Sequence, residues 1–171
     1  MAEFQGIDTV IKNLNKKIKE IEGASQKGLT RAALKVRRRA QKKAPIDTGN
    51  LKASAYTISG SGKAAAGGSP SFKDDDALTM QEQHDSTLSE ALGRAMKEEG
   101  PYAEVGFSAV YAWAVHENPR AGQTGGVSPS GRPYKSYAEK GEYKFLEKAF
   151  VESEKEILDI IQKEARRGLN K

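Results

Sequence analysis

His116 followed by Glu117 sets an imidazole beside a carboxylate, the pairing that a general base uses. The pair follows a short β-branched and aromatic run, and neighbours on a strand face opposite ways, so His116 reads as structural rather than catalytic. Gly122-Gln123-Thr124-Gly125-Gly126 spaces glycines closely enough for backbone N–H groups to approach an anion. The Gly-Lys-Ser/Thr ending of a phosphate-binding loop is absent, however, and no apolar strand leads in, so a mobile loop is expected. Asp74-Asp75-Asp76 offers oxygen ligands without the alternating spacing of a calcium loop and reads as a solvated helix start. With no cysteine, and with His84 and His116 as the two histidines, disulfides, thiol nucleophiles and a four-ligand Cys/His zinc site are excluded. No catalytic residue, metal or cofactor is assigned, and the chain reads as a non-enzyme.

The strongest chemical pattern is cationic. Lys27, Arg31, Lys35, Arg38 and Lys42 recur at intervals of three and four and form one helical stripe at 100° per residue. Leu29, Ala33, Val36, Ala40 and Ala44 occupy the opposite face. Charge on the outer face of an amphipathic helix is ordinary. The run Arg37-Arg38-Arg39 tips the stripe toward contact with DNA phosphates or an acidic protein surface, and both partners stay open.

The elements that carry this stripe belong to a chain with little to bury. Its 171 residues suit one domain, but 37% are hydrophobic, 30% are charged and 17 are glycine. Burial between subunits can supply what one core lacks, so assembly is expected. The net charge of +5 is unevenly spread: residues 1–45 hold 12 Lys or Arg against four acids, whereas residues 74–99 hold eight acids against two bases. The two regions could attract each other or neighbouring copies. The first 30 residues contain no continuous apolar run, so neither a signal peptide nor a membrane span is expected, and folding in a cytoplasm is.

Phe4, Ile7, Ile11, Leu14, Ile18 and Ile21 form an apolar seam that predicts a helix over about 7–21. Gly23 and Gly28 interrupt it, and a second helix is expected over about 29–43, stopped by Pro45. Asp47-Thr48-Gly49-Asn50-Leu51 reads as a turn in which Asp47 caps the following N–H groups and Gly49 takes positive φ or packs tightly. A strand is expected over about 53–59, a Gly/Ser/Ala-rich flexible loop over 60–70 and a helix over about 76–98. Short strands follow at 102–107 and 110–115, then a long loop at about 118–140. The last helix should run over about 142–167, burying Phe145, Leu146, Ala149, Phe150, Ile157, Ile160, Ile161 and Ala165.

Ala44-Pro45-Ile46-Asp47-Thr48-Gly49-Asn50-Leu51, entered from a basic helix and leaving into a strand, resembles a recurrent pattern of tailed-bacteriophage neck proteins. These are the HK97 gp10-like family of tail-completion and head–tail connector proteins. Tyr111-Ala112-Trp113-Ala114-Val115-His116-Glu117 is similar to the family's Tyr-Ala-x-x-Val-Glu segment, and Lys144-Phe145-Leu146-Glu147-Lys148-Ala149-Phe150 to its Phe-Leu-x-x-Ala helix opening. The motif positions are Pro45, Asp47, Thr48, Gly49, Leu51, Tyr111, Glu117, Phe145, Leu146 and Ala149, in family order across most of the chain. Two features depart from the pattern: His116 precedes the glutamate, and the 60–100 segment is longer than the simplest members need.

The resemblance implies one α+β connector-type domain over 1–171, a small antiparallel sheet packed by N-terminal helices and a long C-terminal helix, with extended loops. It implies a homo-oligomeric, hexameric ring in the virion neck, made in the bacterial host cytoplasm. The implied partners are a portal-adaptor protein, tail terminator or tail tube proteins, and DNA passing transiently and without sequence preference; no membrane is implied. The readings from other classes are a stand-alone basic nucleic-acid-binding protein, which lacks a recognisable binding motif, and a phage-associated hydrolase, which would need a reactive pair in a pocket.

Overall fold

The computed structural model describes residues 7–46, 48–60, 70–73, 75–121 and 141–170. Its elements are α1 (Ile7–Lys43), α2 (Asn50–Ala53), β1 (Ala55–Ser59), α3 (Ala77–Ala95), β2 (Ala103–Phe107), α4 (Ala112–Glu117) and α5 (Phe145–Leu169). The described residues are mostly helical, with a two-stranded antiparallel sheet and a long C-terminal helix. The Asp47 cap, the loop glycines 122–126 and most of the expected loops at 60–70 and 118–140 lie outside the described residues.

The first correction concerns α1, which is one helix of 37 residues where two were expected. Gly23 and Gly28 do not break it. Glycine weakens a helix by about 0.5–1 kcal/mol relative to alanine, a cost that tertiary packing can offset. At Gly28 the packing is visible: a Cβ there would lie 3.0 Å from Ile161 Cα of α5. On the facing helix, a Cβ on Gly168 would sit 2.5 Å from Ala24 Cβ. The two glycines let α1 and α5 approach closely as an antiparallel pair. Val36, Ala40 and Ala149 are buried between them, with Leu146, Ile157 and Phe107 packed alongside.

β1 and β2 pair in the register Ala55↔Phe107 to Ser59↔Ala103. β1 is the expected strand, and all five of its residues are buried. The sheet is a middle layer, which accounts for this. On one face Tyr56 and Ile58 pack on Ala91, Ala95, Leu88 and Leu92 of α3, while α1 covers the other. A full covering removes the polar face that alternation requires.

The second correction is α4, read from sequence as a strand over 110–115. A strand would put Tyr111, Trp113 and Val115 on one face; instead Ala112 and Val115 are buried and Trp113 is exposed. That spacing of three is helical, and the Val115 N–H bonds the Tyr111 carbonyl at 3.1 Å. Phe145, Leu146 and Ala149 face the core as expected, but Phe150 is exposed.

Two side-chain amides fasten the chain between elements. The Asn50 amide donates to the Lys73 carbonyl at 3.0 Å and accepts from the Lys73 N–H at 2.9 Å. Gln26 makes the same two bonds with the backbone of Tyr102, both at 2.8 Å. Each replaces a ladder rung where no further strand is present among the described residues.

The helix of α1 and its contact with α5 make opposite demands on its two glycines. A Cβ on Gly23 meets nothing within 4 Å, so Gly23→Ala should stabilise the fold by about 0.5–1 kcal/mol. Gly28→Val should destabilise it by about 1–3 kcal/mol by pushing α5 away. Urea denaturation of both variants checks this; a Gly23→Ala chain no more stable than the parent would contradict a continuous α1.

Candidate interaction surface

The basic stripe of α1 stays exposed, but two of its five charges are paired within the chain. Arg31 bonds Glu164 and Lys35 bonds Glu156, both on α5. Lys27, Arg38 and Lys42 remain exposed, and no ion pair joins them to a described residue. The stripe lay opposite the apolar seam in projection, but α5 packs across the flank of α1 and reaches two of its five cations. Arg37-Arg38-Arg39 also divides. Arg37 is buried, and burial together with the neighbouring Arg38 lowers its pKa. Arg39 Nη1 donates to Ser153 Oγ at 2.6 Å and to the Glu152 carbonyl at 2.9 Å. Lys43 completes the row with Glu142 and Glu152 at 2.9 and 2.8 Å, and the hydrogen bonds it donates to Glu152 and Glu142 raise its pKa.

Sequence reading missed these partners because they lie 99 or more residues downstream. The acids of α5 could have supplied the signal: Glu152, Glu156 and Glu164 recur at intervals of four and eight on one face. Glu164 is the buried member, with its side chain 6% exposed and both Arg31 and Arg167 on one carboxylate oxygen. In each of the other pairs at least one side chain is 40% exposed or more, and each pair contributes little to stability.

The three motif segments converge on a single core. Ala44, Leu51, Ala112, Val115 and Phe145 share one cluster of buried residues, with Tyr111 and Leu146 packed against it. Ala149 lies in the adjoining α1–α5 cluster. Pro45 is buried at the end of α1, and a Cβ on Gly141 would lie 2.4 Å from its Cα, so the returning chain rests on the proline. Gly49 has φ 94°, the left-handed conformation expected of it, and the Thr48 hydroxyl accepts from the Asn50 N–H at 3.3 Å. Phe145 is the centre of the cluster, meeting Phe107 and His116 edge-on at 4.9 and 5.0 Å between centroids.

His116 and Glu117 do meet, contrary to the strand-based expectation. At the end of α4, Nδ1 lies 2.7 Å from Glu117 Oε1. The ring packs on Phe145 and the His116 carbonyl accepts from the Lys144 N–H at 2.7 Å, so the residue links α4 to the start of α5.

A second histidine pair escaped sequence reading altogether. His84 Nδ1 lies 2.8 Å from Ser108 Oγ, 24 residues away, and that hydroxyl also approaches the Ser54 carbonyl at 3.3 Å. The atoms are those of a base and a nucleophile, but both residues are buried, with Phe72 edge-on to the imidazole, and a substrate has no approach. The pair is a cross-link between α3 and the end of β2. Glu104 is another: it accepts from Tyr56 at 2.8 Å, from Tyr102 at 2.6 Å and from both Arg94 Nε and Nη2 at 3.2 and 2.7 Å. Burial pushes its carboxyl up, but these donors outweigh burial and hold its pKa below the ordinary value. Burial and the facing Glu104 carboxylate raise the Tyr56 phenol far above its usual range.

Compared with known proteins, the chain matches no family model, no curated protein and no solved structure.

Burial lowers the pKa of His84 against a small opposing effect of Asp85. The unfolded chain therefore binds the proton more readily, and the stability from neutral His84 is present above about pH 6.5 and is lost as pH falls through the folded pKa. Thermal melts between pH 7 and 5 should show Tm falling with pH, and His84→Gln should flatten that slope. An unchanged slope would remove His84 from the account.

Proposed function

We propose that the chain is a structural subunit of the phage neck, working as copies of a ring at the head–tail junction that joins the portal-adaptor complex to the tail and lets DNA pass. The observation that carries this reading is the convergence of Ala44, Leu51, Tyr111, Ala112, Val115 and Leu146, drawn from the three motif segments, around Phe145. Segments that resemble one family in sequence and order build a common core, which is what a shared framework requires. The potentially reactive pairs near it serve as internal links: His84 with Ser108 is buried, and His116 is packed on Phe145. Among the described residues, no helix is long and apolar enough to cross a membrane.

A stand-alone nucleic-acid-binding role is the second reading, favoured by the exposure of Lys27, Arg38 and Lys42. Against it, α5 neutralises Arg31 and Lys35, which leaves three of the stripe's cations to meet phosphate. In a ring through which DNA slides, loose and salt-sensitive contact is what function needs.

Electron microscopy of the purified full chain, alone and mixed with portal-adaptor and tail proteins, should show rings. A strict monomer that joins neither partner overturns the proposal. Lys27→Gln, Arg38→Gln and Lys42→Gln together should leave the melting temperature within a few degrees, because the apolar side of α1 is untouched, yet reduce completion of DNA-filled particles. Fluorescence anisotropy across a salt series should show weak duplex binding without sequence preference; submicromolar, sequence-selective binding at physiological salt would favour the second reading.

A further inference from the structure

α1 outruns its partner. The last turn of α5 meets α1 at Glu20 and Ala24, where Gly168 packs. Residues 7–19 therefore extend past the end of α5 by roughly 20 Å at 1.5 Å per residue. Along that extension Ile11, Leu14 and Ile18 form a seam of large apolar side chains that are 49–57% exposed. Two or three turns of helix without packing are marginal in water, so this segment needs a surface to cover its seam.

The same chain offers such a surface elsewhere. An open apolar groove of roughly 370 Å³ runs between α1, β2 and α5, lined by Leu29, Ala33, Val105, Leu146, Phe150 and Val151. Phe150 and Val151 stand 57% and 62% exposed on its wall, and Leu158 continues the stripe further along α5. From Leu146 to Ile157 the α5 wall is about 16 Å long, close to the length of the extension. The charges also match. Residues 11–19 hold four lysines and no acid, whereas on residues 147–159 of α5 Glu154 and Asp159 are exposed and no ion pair joins them to a described residue. The extension cannot reach its own groove, because Leu14 and Ala33 lie on one continuous helix about 28 Å apart along its axis.

We infer that the 11–19 segment of α1 docks in the α1/β2/α5 groove of a second copy of this chain. The contact is head-to-tail, with a donor face and an acceptor face on each copy, so it propagates and closes into a ring when the rotation permits. It rests on the reading of the chain as one copy of an assembly and supplies that assembly with its interface. The basic flank of the donor helix meets Glu154 and Asp159 on the acceptor's α5, which fixes direction as the seam supplies burial.

The absence of cysteine makes the test clean. One preparation carries Leu14→Cys, another Val151→Cys with a distinguishing tag, and the two are mixed under mild oxidation. A disulfide-linked heterodimer is expected, with little self-linking in either preparation. In sedimentation velocity the parent chain should associate with rising concentration. Leu14→Glu with Ile18→Glu, or Val151→Glu alone, should weaken that association at least tenfold, with helicity by circular dichroism confirming the fold. Association that persists in these variants, or Leu14→Cys copies that link to each other, overturns this interface and leaves the ring reading standing. A parent chain that stays monomeric alone also overturns it, as does a Val151→Cys thiol shielded from labelling only by neck proteins; rings formed with those proteins would still satisfy the ring reading.

Discussion

Close approach of α1 and α5 is the constraint on which the described fold depends. Gly28 and Gly168 remove the side chains that would hold the helices apart, and the small Ala24, Ala40 and Ala149 keep the contact narrow along its length. Once the helices lie this close, Lys35, Arg39 and Lys43 come within reach of the acids of α5, and Glu164 is enclosed with Arg31. These ion pairs follow from the packing rather than cause it, since exposed pairs are individually weak. The sheet rests on the helical pair through Phe107, which touches both the α1–α5 cluster and the cluster around Phe145.

The parts of this arrangement legible in sequence were those with a local cause. Gly49 announced its positive φ through the turn around it, and Phe145 and Ala149 announced the buried face of α5 through their spacing. What sequence concealed had a distant cause. Gly28 reads as a helix interruption until Ile161, far along the chain, is known to lie against it. The 110–115 run carries strand-forming residues, but Ala112 and Val115 are drawn inward by the same core that holds Phe145, and this selects a helix. Of the candidate contact residues, Lys27, Arg38 and Lys42 kept the exposure that their spacing implied. Arg31 and Lys35 are exposed as well, but they are paired with acids that no local pattern connects with them.

Polar chemistry in this chain is spent largely on joining its own pieces. Asn50 and Gln26 use their amides as substitutes for backbone rungs, Glu104 gathers two tyrosines and an arginine, and His84 ties α3 to the residue after β2. A two-stranded sheet with a single flanking helix on one side has little apolar area to hold it, so such links carry more of the burden than in a larger core. The apolar groups left outside are correspondingly informative: Ile11, Leu14, Ile18, Phe150 and Val151 lie on surfaces that no described part of the chain covers.

The pairing of an early helix with a late one also sets a clock on biogenesis. About 100 residues separate the end of α1 from the start of α5, and at roughly 5–20 residues per second the ribosome needs on the order of 5–20 s to traverse them. During that interval α1 is a nascent amphipathic helix whose long-range partner has not yet been synthesised, and closing so distant a contact is slow in its own right. The native hairpin of α1 and α5 is therefore a late, post-emergence event, and until it forms the acceptor groove, which needs both helices, does not exist. Under the proposed docking of copies, translation order would delay self-association until a subunit is complete and keep half-made chains from polymerising on the polysome.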